Sequence, residues 1–106
     1  MIYRSILRFH VRAGKAVEFE AAYDAGEFLT RAADVPGFIR ADLLRQDADD
    51  HEYVAMAEWE NKEAYLEWQD RIPKIVPAEV LARISAVLDP LEAGNVYAVL
   101  QSVSAE

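Results

Sequence analysis

The sequence predicts an α+β fold: a four-stranded antiparallel sheet with helices on one face, in the order β-α-β-β-α-β. Three observations predict it. The first twelve residues alternate, with Tyr3, Leu7, Phe9 and Val11 on one parity and Arg4, Arg8, His10 and Arg12 on the other. Two more strand-like runs, Phe38 to Gln46 and Glu52 to Trp59, flank a polar tip at Asp47 to Asp50 and read as a hairpin. Between and after these runs the apolar spacing changes from two to three and four, the mark of a helix face. With right-handed connections this order closes most simply as a ferredoxin-like domain spanning residues 1–106.

The first strand covers Met1 to Arg12 and breaks at Ala13-Gly14-Lys15. A long helix is expected from Lys15 to Ala33, with Val17, Ala21, Ala25, Phe28 and Ala32 on one stripe. Gly26 lies inside it and weakens it by about 0.5–1 kcal/mol relative to Ala. Pro36-Gly37 ends it, because Pro cannot continue a helix and Gly accepts positive φ. After the hairpin, Asn61 is an N-cap whose side-chain oxygen can take a first-turn amide. Ala64, Tyr65 and Trp68 share one side of the helix that follows. Pro73 and Pro77 are expected to interrupt it, and Pro77 to start a second piece over Ala78 to Leu88 with an apolar stripe of Val80, Ile84 and Val87. Turns at Asp89-Pro90 and Gly94-Asn95 lead to a last strand, Val96 to Val103, and a frayed end from Ser104 to Glu106.

The chain has 106 residues, enough for one domain that buries about two thirds of its unfolded surface. Eleven Lys and Arg against nineteen Asp and Glu give a net charge of -8, which excludes nucleic acid and anionic membrane surfaces as partners. Without cysteine there are no disulfides, thiolate metal sites or Cys nucleophile. His10 and His51 lack metal-ligand spacing, and the acidic tip lacks the glycine and spacing of a calcium loop, so no metal site is expected. The Arg-rich start is not a signal peptide, and no apolar run approaches ~18 residues. A soluble, cytoplasmic protein is the expectation.

Helices cover one face of such a sheet, yet both parities of the last two strands are apolar. Tyr53, Ala55, Ala57 and Trp59 oppose Val54 and Met56, and Val96 and Ala98 oppose Tyr97 and Val99. The helix-free face, with Ile6, Val54 and Met56, is therefore expected to pack on a second copy, as in a two-fold homodimer. Arg4 and Arg8 are expected to meet Glu58 and Glu52. The alternative is that these charges solvate an open sheet.

The segment Tyr53-Val-Ala-Met-Ala-Glu-Trp59-Glu-Asn61-Lys-Glu-Ala-Tyr65 resembles the antibiotic biosynthesis monooxygenase family. So does Phe9-His-Val-Arg-Ala-Gly14-Lys15, followed by a long helix and Pro36-Gly37-Phe38. The resemblance implies a dimeric α/β barrel, two ferredoxin-like sheets face to face, with a pocket in each subunit between sheet and helices. It also implies oxidation of an aromatic, polyketide-like phenol or anthrone to a quinone, with O₂ as co-substrate and no metal, flavin or haem. Polyketide cyclases share the fold, and a non-catalytic small-molecule-binding dimer is the competing class. By resemblance Trp59 is the pocket tryptophan and Tyr65 the helix tyrosine. Polyketide-oxidising members carry Asn four positions before that tryptophan; here the position is Ala55, which has no hydrogen-bonding side chain. Haem-degrading relatives need a His in the helix after the tryptophan, and Lys62 to Arg71 has none.

Cofactor-free oxygenation requires a site that binds an electron-rich aromatic, favours its anion and excludes water. Trp59 is the expected stacking wall and Tyr65 the hydrogen-bond donor or proton carrier. Tyr3, Tyr23, Tyr53, Ala55 and Trp68 are expected to extend the pocket. Arg83, between the inward positions Val80 and Ile84, and Arg71 are the expected stabilisers of a substrate oxyanion, since a guanidinium stays charged and forks its donors.

Overall fold

The computed structural model describes residues 1–105; Glu106, expected in the frayed end, lies outside them. Four antiparallel strands stand in the order β2-β3-β1-β4, with β1 at Tyr3–His10, β2 at Phe38–Arg45, β3 at Glu52–Trp59 and β4 at Asn95–Ala98. Helices α1 (Ala16–Ala25) and α2 (Phe28–Ala32) precede the hairpin, and α3 (Lys62–Ile75) and α4 (Ala78–Ala86) follow it. This is the ferredoxin-like fold.

Strand parity sets the two faces. In β1 and β3, Phe9, Tyr53, Ala57 and Trp59 are buried on the helix side, and Leu7 and Ala55 pack against the core there. The opposite face carries Arg4, Ile6, Arg8 and His10 beside Val54, Met56 and Glu58. Arg4 reaches Glu58 within the chain at 3.2 Å. Arg8, expected to take Glu52, stands opposite Val54 instead. His10 is opposite Glu52, and its Nδ1 is 2.6 Å from a Glu52 carboxylate oxygen. That hydrogen bond and the Glu52 charge raise the His10 pKa above its usual value.

The expected long first helix is two. Gly26 closes α1 and Glu27 adopts a left-handed φ of 51°, turning the chain into α2. A Cβ on Gly26 would run into the Phe28 ring, so glycine is what lets that ring fold back. The buried face of α1 also differs from the expected stripe. Phe19, Ala22 and Tyr23 point inward, while Val17 is 81% exposed. Two aromatics remove more apolar surface from water than the Val and Ala stripe does, and their area decides the rotation of the helix.

Asn61 caps α3 as expected, its Oδ1 accepting the Ala64 amide at 2.9 Å. Pro73 does not interrupt α3, which runs on to Ile75. It sits in the last turn, where it deletes one ladder bond rather than splitting the helix. Pro77 is the N-cap of α4, and α4 ends at Ala86 rather than Leu88, which pairs with Val11 as an isolated bridge. The last strand is shorter than expected. With Tyr3 opposite Ala98, β1 runs out of residues, and the final bond is from the Val99 amide to the Ile2 carbonyl. Leu100 and Val103, 82% and 97% exposed, have no strand to pair with.

The core is split in two. One cluster gathers Phe9, Phe19, Tyr53, Val80 and Ile84; the other gathers Trp59, Tyr65, Ala57, Ala64 and Val35.

Candidate functional site

Between the two clusters the helix-facing side of the sheet carries small residues in register. Ala41 pairs with Ala57 and Ala57 with Ser5, and Ala55 lies next along β3. Side chains of this size cannot reach the helices above them. The result is a cavity of about 510 Å³ with Ser5, Ala41, Ala55 and Ala57 as its floor. That is within the ~300–1,000 Å³ usual for small-molecule sites. Its roof comes from Tyr23, Phe28 and Leu29 on one side and Tyr65, Trp68 and Ile72 on the other. The Tyr23 and Phe28 rings stack at 4.7 Å.

The polar groups in this apolar chamber are few. Gln69, one turn after Tyr65 on α3, donates from Nε2 to the Tyr65 hydroxyl at 2.6 Å. That oxygen is an acceptor in this bond, so its own proton remains available to another acceptor. Burial raises the Tyr65 pKa, with the Gln69 bond pulling the other way. Tyr23 has no hydrogen-bond partner for its hydroxyl among the described residues, and burial pushes its pKa up to about 12. Both tyrosines are therefore neutral donors at neutral pH. Gly94 approaches the Tyr65 hydroxyl closely enough that a Cβ there would meet it in ordinary contact, at 3.5 Å. At the rim, Arg12 and Asp89 are the charged residues of the lining.

Of the residues singled out by sequence, Tyr23, Ala55, Tyr65 and Trp68 meet around this cavity. Trp59 stands one layer behind. It is 0% exposed, its Nε1 donates to the Ser5 hydroxyl at 3.0 Å, and its ring is 6.5 Å from that of Tyr65. Tyr53 is outside the lining, and its hydroxyl donates to Glu20, which also pairs with Arg45. Tyr3 shares the helix-facing parity but stands beyond the chamber, opposite Trp59 and Ala98. Arg71 pairs with Glu67 one turn back on α3, at 3.0 Å, and Arg83 is exposed on α4; neither lines the cavity.

Sequence reasoning missed Gln69, Phe28, Ser5 and Arg12. Gln69 was findable, four residues after Tyr65 on one helix face. Arg12 was not, because strand parity was extended past the end of β1. Beyond His10 the chain leaves the ladder, and the Arg12 amide donates to the Val87 carbonyl at 2.8 Å. At the hairpin tip, Asp49, Asp50 and His51 bring ligand atoms together, but the Asp49 carboxylate is used by the His51 amide at 2.8 Å, an ordinary turn contact.

The described residues include no helix long and apolar enough to cross a membrane. Among curated proteins none matches the chain. Solved structures do. A cofactor-independent oxygenase from Streptomyces nogalater, SnoaB, is 25% identical over 96% of both chains, with a TM-score of 0.72. Rv0793 from Mycobacterium tuberculosis is 22% identical over 98% of this chain and 100% of its own, at a TM-score of 0.73. A dimeric ferredoxin-like protein from an uncultured marine organism, 15% identical over 99% of this chain and 93% of its own, reaches 0.76 and speaks to the fold alone. The model of the antibiotic biosynthesis monooxygenase family matches residues 2–72, which take in β1 to β3, α1, α2 and most of α3. With that match over more than half its length, the chain belongs to the antibiotic biosynthesis monooxygenase family.

Proposed function

We propose that this protein is a cofactor-independent monooxygenase acting on an aromatic, polyketide-like phenol or anthrone. The observation that carries the reading is the apolar, aromatic-walled cavity of about 510 Å³ with neutral phenol donors in its wall. Family membership and the likeness to a cofactor-independent oxygenase support it. Ground-state O₂ reacts slowly with closed-shell molecules, so the substrate itself supplies the first electron, as its enolate or phenolate. For an anthrone, the reactive methylene loses two hydrogens and gains one oxygen atom. The second oxygen atom leaves with those hydrogens as water, so each quinone formed consumes one O₂. In this reading the chamber holds the ring away from water, and Tyr65 donates to the oxygen on which negative charge develops. Ser5, fixed by Trp59, and Tyr23 add neutral polar contacts. Trp59 acts as a positioning residue rather than a stacking wall.

Ala55 favours a second reading. In the cavity floor it offers a substrate no hydrogen bond, which suits a cyclase or a ligand-binding protein of the same fold. Oxygen consumption separates the two. Incubation with anthrone and related phenols is expected to give protein-dependent O₂ uptake matched one to one by quinone. Uptake no faster than in protein-free controls would remove the oxygenase reading.

The helix-free face is proposed as the contact between two copies in a dimeric barrel. Leu44 and Tyr97, 43% and 52% exposed, widen the apolar patch of Ile6, Val54 and Met56 on that face. Light scattering is expected to give twice 12.0 kDa at micromolar concentration, and a monomer there would contradict the assembly.

A further inference from the structure

We infer that Arg12 is a specificity-determining residue which selects aromatic substrates bearing a carboxylate and holds that carboxylate at the cavity mouth. The inference rests on the cavity taking an aromatic ring, as proposed above, and adds which one.

Arg12 and Asp89 are the charged residues of the lining, and both sit at the rim with side chains 58% and 62% exposed. Their approach is loose: Arg12 Nε is 4.0 Å from an Asp89 oxygen, beyond hydrogen-bond range. Among the described residues the guanidinium makes no hydrogen bond, so its fork of donors is uncommitted. Its backbone, by contrast, is fixed. The Arg12 amide is held by Val87, and Val11 before it bridges Leu88, which ties the end of β1 to the end of α4. An anchored backbone with free guanidinium donors at the opening of an apolar chamber is the geometry of a carboxylate receptor.

Two further considerations fix the ligand class. The chain carries a net charge of -8, so its overall field repels anions and the rim cation is where one can be received. Among the described residues no cation is buried, and a carboxylate taken inside would be desolvated without a partner. An aromatic acid therefore enters ring first and leaves its carboxylate at Arg12, which orients the ring toward Tyr65. The exposed Arg12–Asp89 contact contributes little and is exchanged at small cost for a forked pair with the substrate. Asp89 opposes the incoming anion and tempers its affinity.

Calorimetric titration with anthracene-2-carboxylate and its neutral methyl ester tests this without turnover. The natural chain is expected to bind the acid about tenfold tighter than the ester in low salt, as a charge-assisted forked pair allows. Arg12→Gln is expected to abolish that preference while leaving the ester affinity unchanged. Arg12→Lys, keeping the charge without the fork, is expected to retain part of it, and Asp89→Asn to increase it. Equal affinity for acid and ester, a preference that survives Arg12→Gln, or no binding of either probe would overturn the inference. If the protein binds the acid selectively but consumes no O₂, the oxygenase reading fails and this one stands. If O₂ uptake occurs with neutral and acidic substrates alike, the reverse holds.

Discussion

Trp59→Ala is expected to lower the unfolding free energy by about 3–5 kcal/mol, the usual cost of truncating a fully buried large aromatic. The indole is 0% exposed and meets Phe38 edge-on at 5.7 Å and Tyr65 at 6.5 Å. Its cluster is otherwise built largely from Ala32, Val35, Ala57 and Ala64, which cannot expand into the vacated space. Ala57 and Tyr65 also line the cavity, so the missing indole enlarges an existing void instead of letting the structure collapse around it. Set against a total stability of about 5–15 kcal/mol for a domain, the loss removes a large share of it. Urea unfolding followed by far-ultraviolet circular dichroism measures it, and a change below about 1 kcal/mol would show that the indole does not hold the sheet to α3. Should the alanine variant fail to fold, Trp59→Phe gives the smaller readout. It keeps a ring but deletes the bond to Ser5, for an expected loss of about 1–2 kcal/mol.

What the sequence made legible follows from which physical signals are periodic. The two faces of the sheet were readable because side chains alternate every residue, and the β1–β3 register places Tyr3 opposite Trp59 and Phe9 opposite Tyr53 on the helix side. The Asn61 cap was readable because one side-chain oxygen satisfies a known orphan amide. Lengths were less so. Val96 to Val103 has strand character throughout, but a strand needs a partner, and β1 supplies one only as far as Ile2. Gly26 marked where the first helix could bend, but the full break after α1 depended on its neighbour Glu27 adopting a left-handed conformation, which a Glu does not announce. The cavity was the hardest feature to foresee. Hydropathy patterns record Ala41, Ala55 and Ala57 as core residues like any Leu, and the void arises from their size and their register across three strands. The aromatic candidates were correspondingly mixed. Tyr23, Tyr65 and Trp68 reach the chamber, while Tyr53 at the other end of β3 is spent on Glu20.

Tyr65→Phe is expected to reduce turnover on an anthrone by about a hundredfold, the lower end for loss of a positioned proton donor, while leaving binding of the ring nearly unchanged. Gln69 donates to the Tyr65 oxygen, so the phenol proton has no claim on it from Gln69 and can point to a substrate oxygen. A donor there is worth most as charge develops on that oxygen and little before, so its removal lowers kcat and not affinity. The pH profile distinguishes this role from its opposite. Burial keeps the phenol protonated above the usual tyrosine range, with the Gln69 bond only partly offsetting it. Through the usual tyrosine range the donor is intact, so Tyr65 contributes no pH dependence there; the phenol ionises and turnover falls only above that range. A phenolate base would give the reverse, with rates rising into that range. Gln69→Leu removes the opposing hydrogen bond, and burial then acts alone, so the alkaline limb is expected to move to higher pH. Single-turnover kinetics beside equilibrium binding of the same substrate separate the two constants, and an unchanged kcat in Tyr65→Phe would take Tyr65 out of the chemistry altogether.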